Sequence, residues 1–171
     1  MCDECDRLAT QYLQEFTVKD IKTILDPRDL PHRDYAPLLK NVKLRAIRNN
    51  TMKFFVRNNL NGWFSYVRFV EWDAQVKDLS IDATEAARLL LWSGNVQIHC
   101  LCPSFAFHGY AYILTQLGAA IVPEVRFPHI RNPKLLGIAC KHLRRVIPVL
   151  PFYLGDMAAA IKQQRNRLKI G

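Results

Sequence analysis

Apolar and polar positions recur along this chain with two different periods, and the switches between them mark out the elements. Leu8, Tyr12, Leu13 and Phe16 have a helical spacing, and a second short helix follows from Thr17 or Val18 to Leu25, with Ile21, Ile24 and Leu25 on one face. Pro27, Pro31 and Pro37 break the pattern, so residues 26–38 read as a loop or linker and residues 1–38 as a helical N-terminal segment. Strand chemistry begins beyond it, over Val42 to Ile47, Met52 to Arg57 and Trp63 to Val70; the last two runs are rich in aromatic and β-branched residues. Between those two, Asn58-Asn59-Leu60-Asn61-Gly62 offers an Asn-Gly step suited to positive φ, which predicts a hairpin.

The helical period returns from Ser80 to Trp92, with Ala83, Ala86, Ala87, Leu90 and Leu91 on one face and a capping arrangement at Asp82 and Glu85. Ser93-Gly94-Asn95 stops it, and Val96 to Leu101 reads as a strand. Ser104 to Leu117 reads as a short helix interrupted by Gly109. From Val122 to Gly137, Pro123, Pro128 and Pro133 predict extended or turn geometry. Leu143, Val146 and Ile147 predict another helix, ended or kinked near Pro148 and Pro151. In a final amphipathic helix from Phe152 to Leu168, Leu154, Met157, Ala158, Ile161 and Leu168 face the core, while Lys162, Arg165 and Lys169 face out. The expected fold class is α+β: residues 39–171 form a small antiparallel sheet with flanking helices.

Composition adds limits. With 171 residues, half of them apolar and 23% charged, the chain can bury one core. No apolar run approaches the ~18–20 residues that span a bilayer, so no membrane role is expected. The acidic Met1-Cys2-Asp3-Glu4-Cys5-Asp6 start does not resemble a signal peptide. An odd count of five cysteines points to a reducing, cytoplasmic setting, where such clusters bind metal. The net charge of +9 is uneven: residues 1–124 hold 14 Lys/Arg and 14 Asp/Glu, whereas residues 125–171 hold 10 Lys/Arg and only Asp156. A localised excess of this kind is the footprint of a nucleic acid or another polyanion, or else a basic solvated face.

The most specific chemistry is the set Cys100, Cys102, Cys140 and His142, arriving as Cys-Leu-Cys-Pro and Cys-Lys-His. Three thiols and an imidazole have the count and softness of a closed tetrahedral Zn2+ site. Residues i and i+2 of a strand share a face, so Cys100 and Cys102 can converge. On a helix the same spacing diverges by about 200°. Cys140 is therefore expected just before a helix and His142 in its first turn, with Gly137 easing the approach. Such an ion would staple the C-terminal half of the domain.

The pattern Val-Gln-Ile-His-Cys-Leu-Cys-Pro-Ser-Phe, followed by Gly-Ile-Ala-Cys-Lys-His-Leu, resembles the SWIM zinc-binding module, whose signature is CxC, a variable gap, then CxH. The resemblance covers residues 96–147 and implies zinc on Cys100, Cys102, Cys140 and His142. SWIM modules occur in transposases, helicases, kinases and plant transcription regulators, where they serve DNA binding or protein contact. This chain departs from them in the 37 residues, 103–139, between Cys102 and Cys140. Residues 92–165 also resemble short uncharacterised proteins of tailed bacteriophages, which implies a viral origin without settling a role.

Other signals admit two readings. Cys2 and Cys5 have zinc-knuckle spacing without a second pair, and His108 and His129 are reserve ligands in the insertion. His99 alternates away from the cysteines. Phe105, Phe107, Tyr110 and Tyr112 suit either the core or base stacking. Arg126, Arg131, Lys134, Lys141, Arg144, Arg145, Arg165, Arg167 and Lys169 are candidates for phosphate contact. The expected function is a non-catalytic, zinc-stabilised nucleic-acid-binding module. The alternatives are a structural or interaction protein, such as a phage virion or assembly component that contacts proteins through residues 103–139, and a metal-dependent nuclease using Glu71 or Asp73.

Overall fold

Four strands succeed one another in space as they do in sequence: β1 (Val42–Arg48), β2 (Thr51–Arg57), β3 (Gly62–Phe69) and β4 (Val96–Cys100), all antiparallel. The computed structural model describes residues 41–57 and 61–170, so the expected helical segment over residues 1–38, with Cys2 and Cys5, lies outside it. Arg57 pairs with Gly62, as a β2–β3 hairpin requires, but Gly62 is already a strand residue and does not take the positive φ expected of the Asn-Gly step; residues 58–60 of that turn lie outside the described residues. Alternation then sorts the side chains: Met52, Phe54, Val56, Val67, Phe69, Val96 and Ile98 are buried on one face.

Helices cover that face. The chain forms α1 (Trp72–Lys77), α2 (Ala83–Trp92), α3 (Pro103–Phe107), α4 (Tyr110–Gln116) and α5 (Leu143–Val146). A 3-10 turn over Ile147–Tyr153 then leads into α6 (Leu154–Ile170). The expected α+β architecture, an antiparallel sheet with flanking helices, is the one observed. Short α1 was not expected; its buried Trp72 and Val76 lie one turn apart. At α2, the Asp82 side chain accepts from the backbone N–H of Thr84 at 2.7 Å and of Glu85 at 2.9 Å, so the helix starts at Ala83 rather than Ser80.

The helix expected over Ser104 to Leu117 is two helices. Gly109 adopts φ +71° between them, and a Cβ there would meet Pro128 Cγ at 2.2 Å. Residues 119–121 then return alongside the edge of β4, with Ile98 N–H donating to Ala119 O at 2.9 Å.

In α6, Met157 and Ile161 are buried as expected, but two positions are corrected. Leu168 is 61% exposed, and Arg165 is buried at 9% exposure. Arg165 continues the Met157–Ile161 stripe at i+4, so its guanidinium points inward. There it donates to the carbonyls of Gln75, Val76, Asp78 and Ile81 at 2.5–3.2 Å. These include the open C-terminal carbonyls of α1, for which a five-donor cation is a suitable cap. Among the described residues, no helix is long and apolar enough to cross a membrane.

Candidate metal centre

The first two ligands come from the end of β4. Cys102 lies beyond the strand but keeps extended backbone (φ −73°, ψ 145°), so alternation carries one step further. Leu101 is 49% exposed, while Cys100 and Cys102 are buried. Pro103 then opens α3 at a position where no backbone N–H is needed. The strand expected to reach Leu101 stops at Cys100.

The second pair approaches from the far side of the insertion. Gly137 has φ +72°, a left-handed turn that glycine adopts without strain. Cys140 precedes α5, and His142, already helical at φ −77° and ψ −49°, is the residue just before Leu143. The Cys140 carbonyl accepts from Arg144 N–H and the His142 carbonyl from Val146 N–H, both at 3.1 Å. The pair is thus fixed where a chain entering a helix can still converge.

All four are buried, and their ligand atoms lie within 4.8 Å of one another. His142 Nδ1 is 3.9 Å from both Cys100 Sγ and Cys140 Sγ. A tetrahedral ion with bonds of ~2.3 Å to sulfur and ~2.0 Å to nitrogen needs ligand separations slightly under 4 Å. The quartet fits one ion at its centre.

The electrostatics agree with that fit. Cys100 and Cys140 direct hydrogen bonds at Cys102 and hold its thiol well below the ordinary range. Cys100 is pushed up to about 11, chiefly by that contact with Cys102. Cys140 is pushed up as well, first by Cys100 and then by Cys102 and burial. Three crowded thiols cannot all ionise alone; a cation at the centre removes the conflict. Backbone N–H groups of Cys102, Phe105 and Leu143 act on Cys100, Cys102 and Cys140 respectively, each favouring the thiolate. Ser65, fully buried on β3, donates its hydroxyl to Cys100 Sγ at 3.4 Å. It escaped the sequence reading; its one signal is a polar residue at an inward position of an otherwise apolar strand face.

The reserve ligands are elsewhere. His99 faces away from the sulfurs, with its ring 5.2 Å from Phe105, and burial lowers its pKa. His108 stacks on Tyr110 at 6.0 Å, and exposed His129 lies against Phe127. Of the aromatic run, Phe105 is core and Phe107 is 68% exposed. Asn132, also missed, organises the insertion: its side chain donates to His108 O and Leu136 O and accepts from Leu136 N–H, all within 3.0 Å.

The basic candidates divide. Arg165 is a buried structural donor, which removes it from any outward contact surface. Arg126 forms a forked ion pair with Glu124, holding that carboxyl down at about 2. Arg131, Lys134, Lys141 and Arg167 are exposed, Arg144 and Arg145 are half-buried on α5, and Lys169 belongs to the last turn of α6. Glu71 binds the backbone and side chain of Asn95 at 2.8 and 2.7 Å, and Asp73 is exposed on α1. Compared with family models, curated proteins and solved structures, the chain matches none.

Proposed function

We propose that this chain is a zinc-stapled, non-catalytic module that binds nucleic acid. The buried Cys100, Cys102, Cys140 and His142 quartet carries the reading. Three thiolates and an imidazole are a common donor set of structural zinc, and four protein donors leave no position for a water nucleophile. The resemblance to the SWIM module supports the same ion on the same residues. Bound zinc would tie β4 to α5 and so hold Lys141, Arg144 and Arg145 rigidly beside the ligands. Cations held in this way neutralise phosphates and release counterions.

The test is elemental analysis of the purified protein together with oligonucleotide binding over a salt series. One zinc per chain is expected, with affinity that falls steeply as salt rises and is weakened by Arg144→Glu with Arg145→Glu. A folded chain without metal, salt-insensitive binding, or no binding at low salt would refute the reading.

A second reading is supported by exposed apolar side chains in the insertion: Phe107, Val125, Ile130 and Leu136 are 67–91% exposed. Large apolar side chains left in solvent suit protein contact, as in an assembly or virion component. Defined oligomers, or a co-purifying protein without nucleic acid, would favour it.

A further inference from the structure

The outer face of the sheet carries chemistry that neither the core nor the metal centre uses. The four strands contain Lys43, Arg45, Arg48, Lys53, Arg57 and Arg68 and no Asp or Glu. Register turns them to the side opposite the core: Lys43 pairs with Phe55, Arg48 and Arg68 with Thr51, Lys53 with Tyr66, and Arg57 with Gly62. Arg45 sits at the β1 bulge, its guanidinium 5.4 Å from the Phe55 ring centre. The balance of charge over residues 1–124 conceals this cluster, because none of the acids of that stretch falls within β1 to β4.

Aromatic rings are interleaved with the cations. Phe55 and Phe64 are neighbours at 5.3 Å, and Tyr66 is 6.3 Å from His99. Lys53 Nζ lies 4.1 Å from the Phe64 ring centre and 5.8 Å from that of Tyr66. Arg45, Arg48, Lys53, Phe64 and Tyr66 border a groove of about 560 Å³, within the ~300–1,000 Å³ typical of ligand sites. Cross-strand aromatic pairs are ordinary sheet chemistry, but six cations on one face without a strand carboxylate are not. Like charges on adjacent strands repel, and solvated faces usually mix both signs.

We infer that this face binds single-stranded nucleic acid, with Phe64 and Tyr66 stacking on bases while Arg45, Lys53 and Arg68 meet phosphates. The inference rests on the nucleic-acid reading above and adds the sheet face to the contacts beside the metal. Half-buried rings on a sheet offer flat faces to unpaired bases, and the flanking cations track a backbone. A duplex keeps its base faces stacked inside and gives the rings nothing to meet. Without ligand, Lys53 covers the rings; a phosphate would draw the ammonium away and open them.

The test is fluorescence anisotropy on the full chain with labelled oligothymidine, oligouridine and a duplex of equal length, with zinc measured in every sample. Single strands are expected to bind at least about tenfold tighter than duplex, and Phe64→Leu with Tyr66→Leu to weaken them about tenfold or more. Lys53→Gln, which leaves the rings in place, should lower the salt slope by about 0.7. Both variants should keep wild-type zinc content and melting temperature. Duplex binding as tight as single-strand binding, or sheet variants that bind like wild type, would overturn the inference. A dimer dissolved by the leucine pair would overturn it too, by naming a second copy as the occupant. If Arg144→Glu with Arg145→Glu abolishes binding while the sheet variants do not, the sheet site fails and the zinc-module reading stands. If wild type binds no oligonucleotide at low salt, that reading fails first.

Discussion

Ser65 stands directly opposite Cys100 in the β3–β4 ladder and gives its hydroxyl to Cys100 Sγ across 3.4 Å. Both residues are buried, so water does not compete for that hydrogen bond. A donor aimed at a sulfur stabilises the thiolate and fixes its rotamer, the part that outer-sphere partners play at metal sites. It also explains why a hydroxyl occupies an inward position between Trp63 and Val67.

Replacing Ser65 with Ala should therefore leave the fold intact and weaken metal binding by about tenfold. Competition against a coloured chelator measures this directly. Wild-type affinity in Ser65→Ala would mean that the hydroxyl serves packing alone.

The sheet and the ligand quartet were legible in the sequence for different reasons. Strands β1 to β4 show because one face is buried and the other is not, so period two is written into the residues. The quartet shows because metal chemistry restricts both ligand type and spacing. Arg165 did not show: sorting a helix by polarity sends every arginine outward, while its true acceptors lie 84 to 90 residues away. The Ser65–Cys100 pairing depends on tertiary register, which local pattern does not contain. At α2 the capping signal was half right, since Asp82 caps both N–H groups while Glu85 pairs with Arg88.

Arg165→Met should destabilise the protein by about 3 kcal/mol or more. It removes charged donors from four carbonyls and leaves those that are buried unsatisfied. Lys should rescue little, because one ammonium cannot span the fan of acceptors that a guanidinium reaches. Chemical denaturation with unchanged m checks both variants. Oligonucleotide affinity of the folded fraction should stay at the wild-type level, since the side chain is occupied inside.

Acid sensitivity should include a contribution from the α2 cap. Backbone N–H groups of Glu85 and Thr84 hold Asp82 below its ordinary value of 3.8. A depressed carboxyl stabilises the fold above its unfolded-state pKa, and that stabilisation is lost as pH falls through the lower folded value. Asp82→Ala should accordingly melt lower than wild type at neutral pH, with the difference shrinking below about pH 4. A difference constant between pH 3 and pH 7 would contradict the cap's role.

Removing the metal should loosen one identifiable connection. The quartet joins the end of β4 to the start of α5, across an insertion whose own order rests on Asn132 and the Gly109–Pro128 contact. Structural zinc supplies ~10–16 kcal/mol of apparent binding free energy. Losing even a third of it should lower the melting temperature by about 10 °C or more in a chain of this size. Dialysis against a strong chelator and the Cys140→Ser variant should give the same shift. Proteolysis should then quicken first within residues 103–142, while β1 to β3, which contribute no ligand, resist longer. Restoring zinc should reverse the chelated sample but not Cys140→Ser. If the chelated protein melts like the native one and is cut no faster, the four side chains are ordinary core residues and no ion joins the strand to the helix.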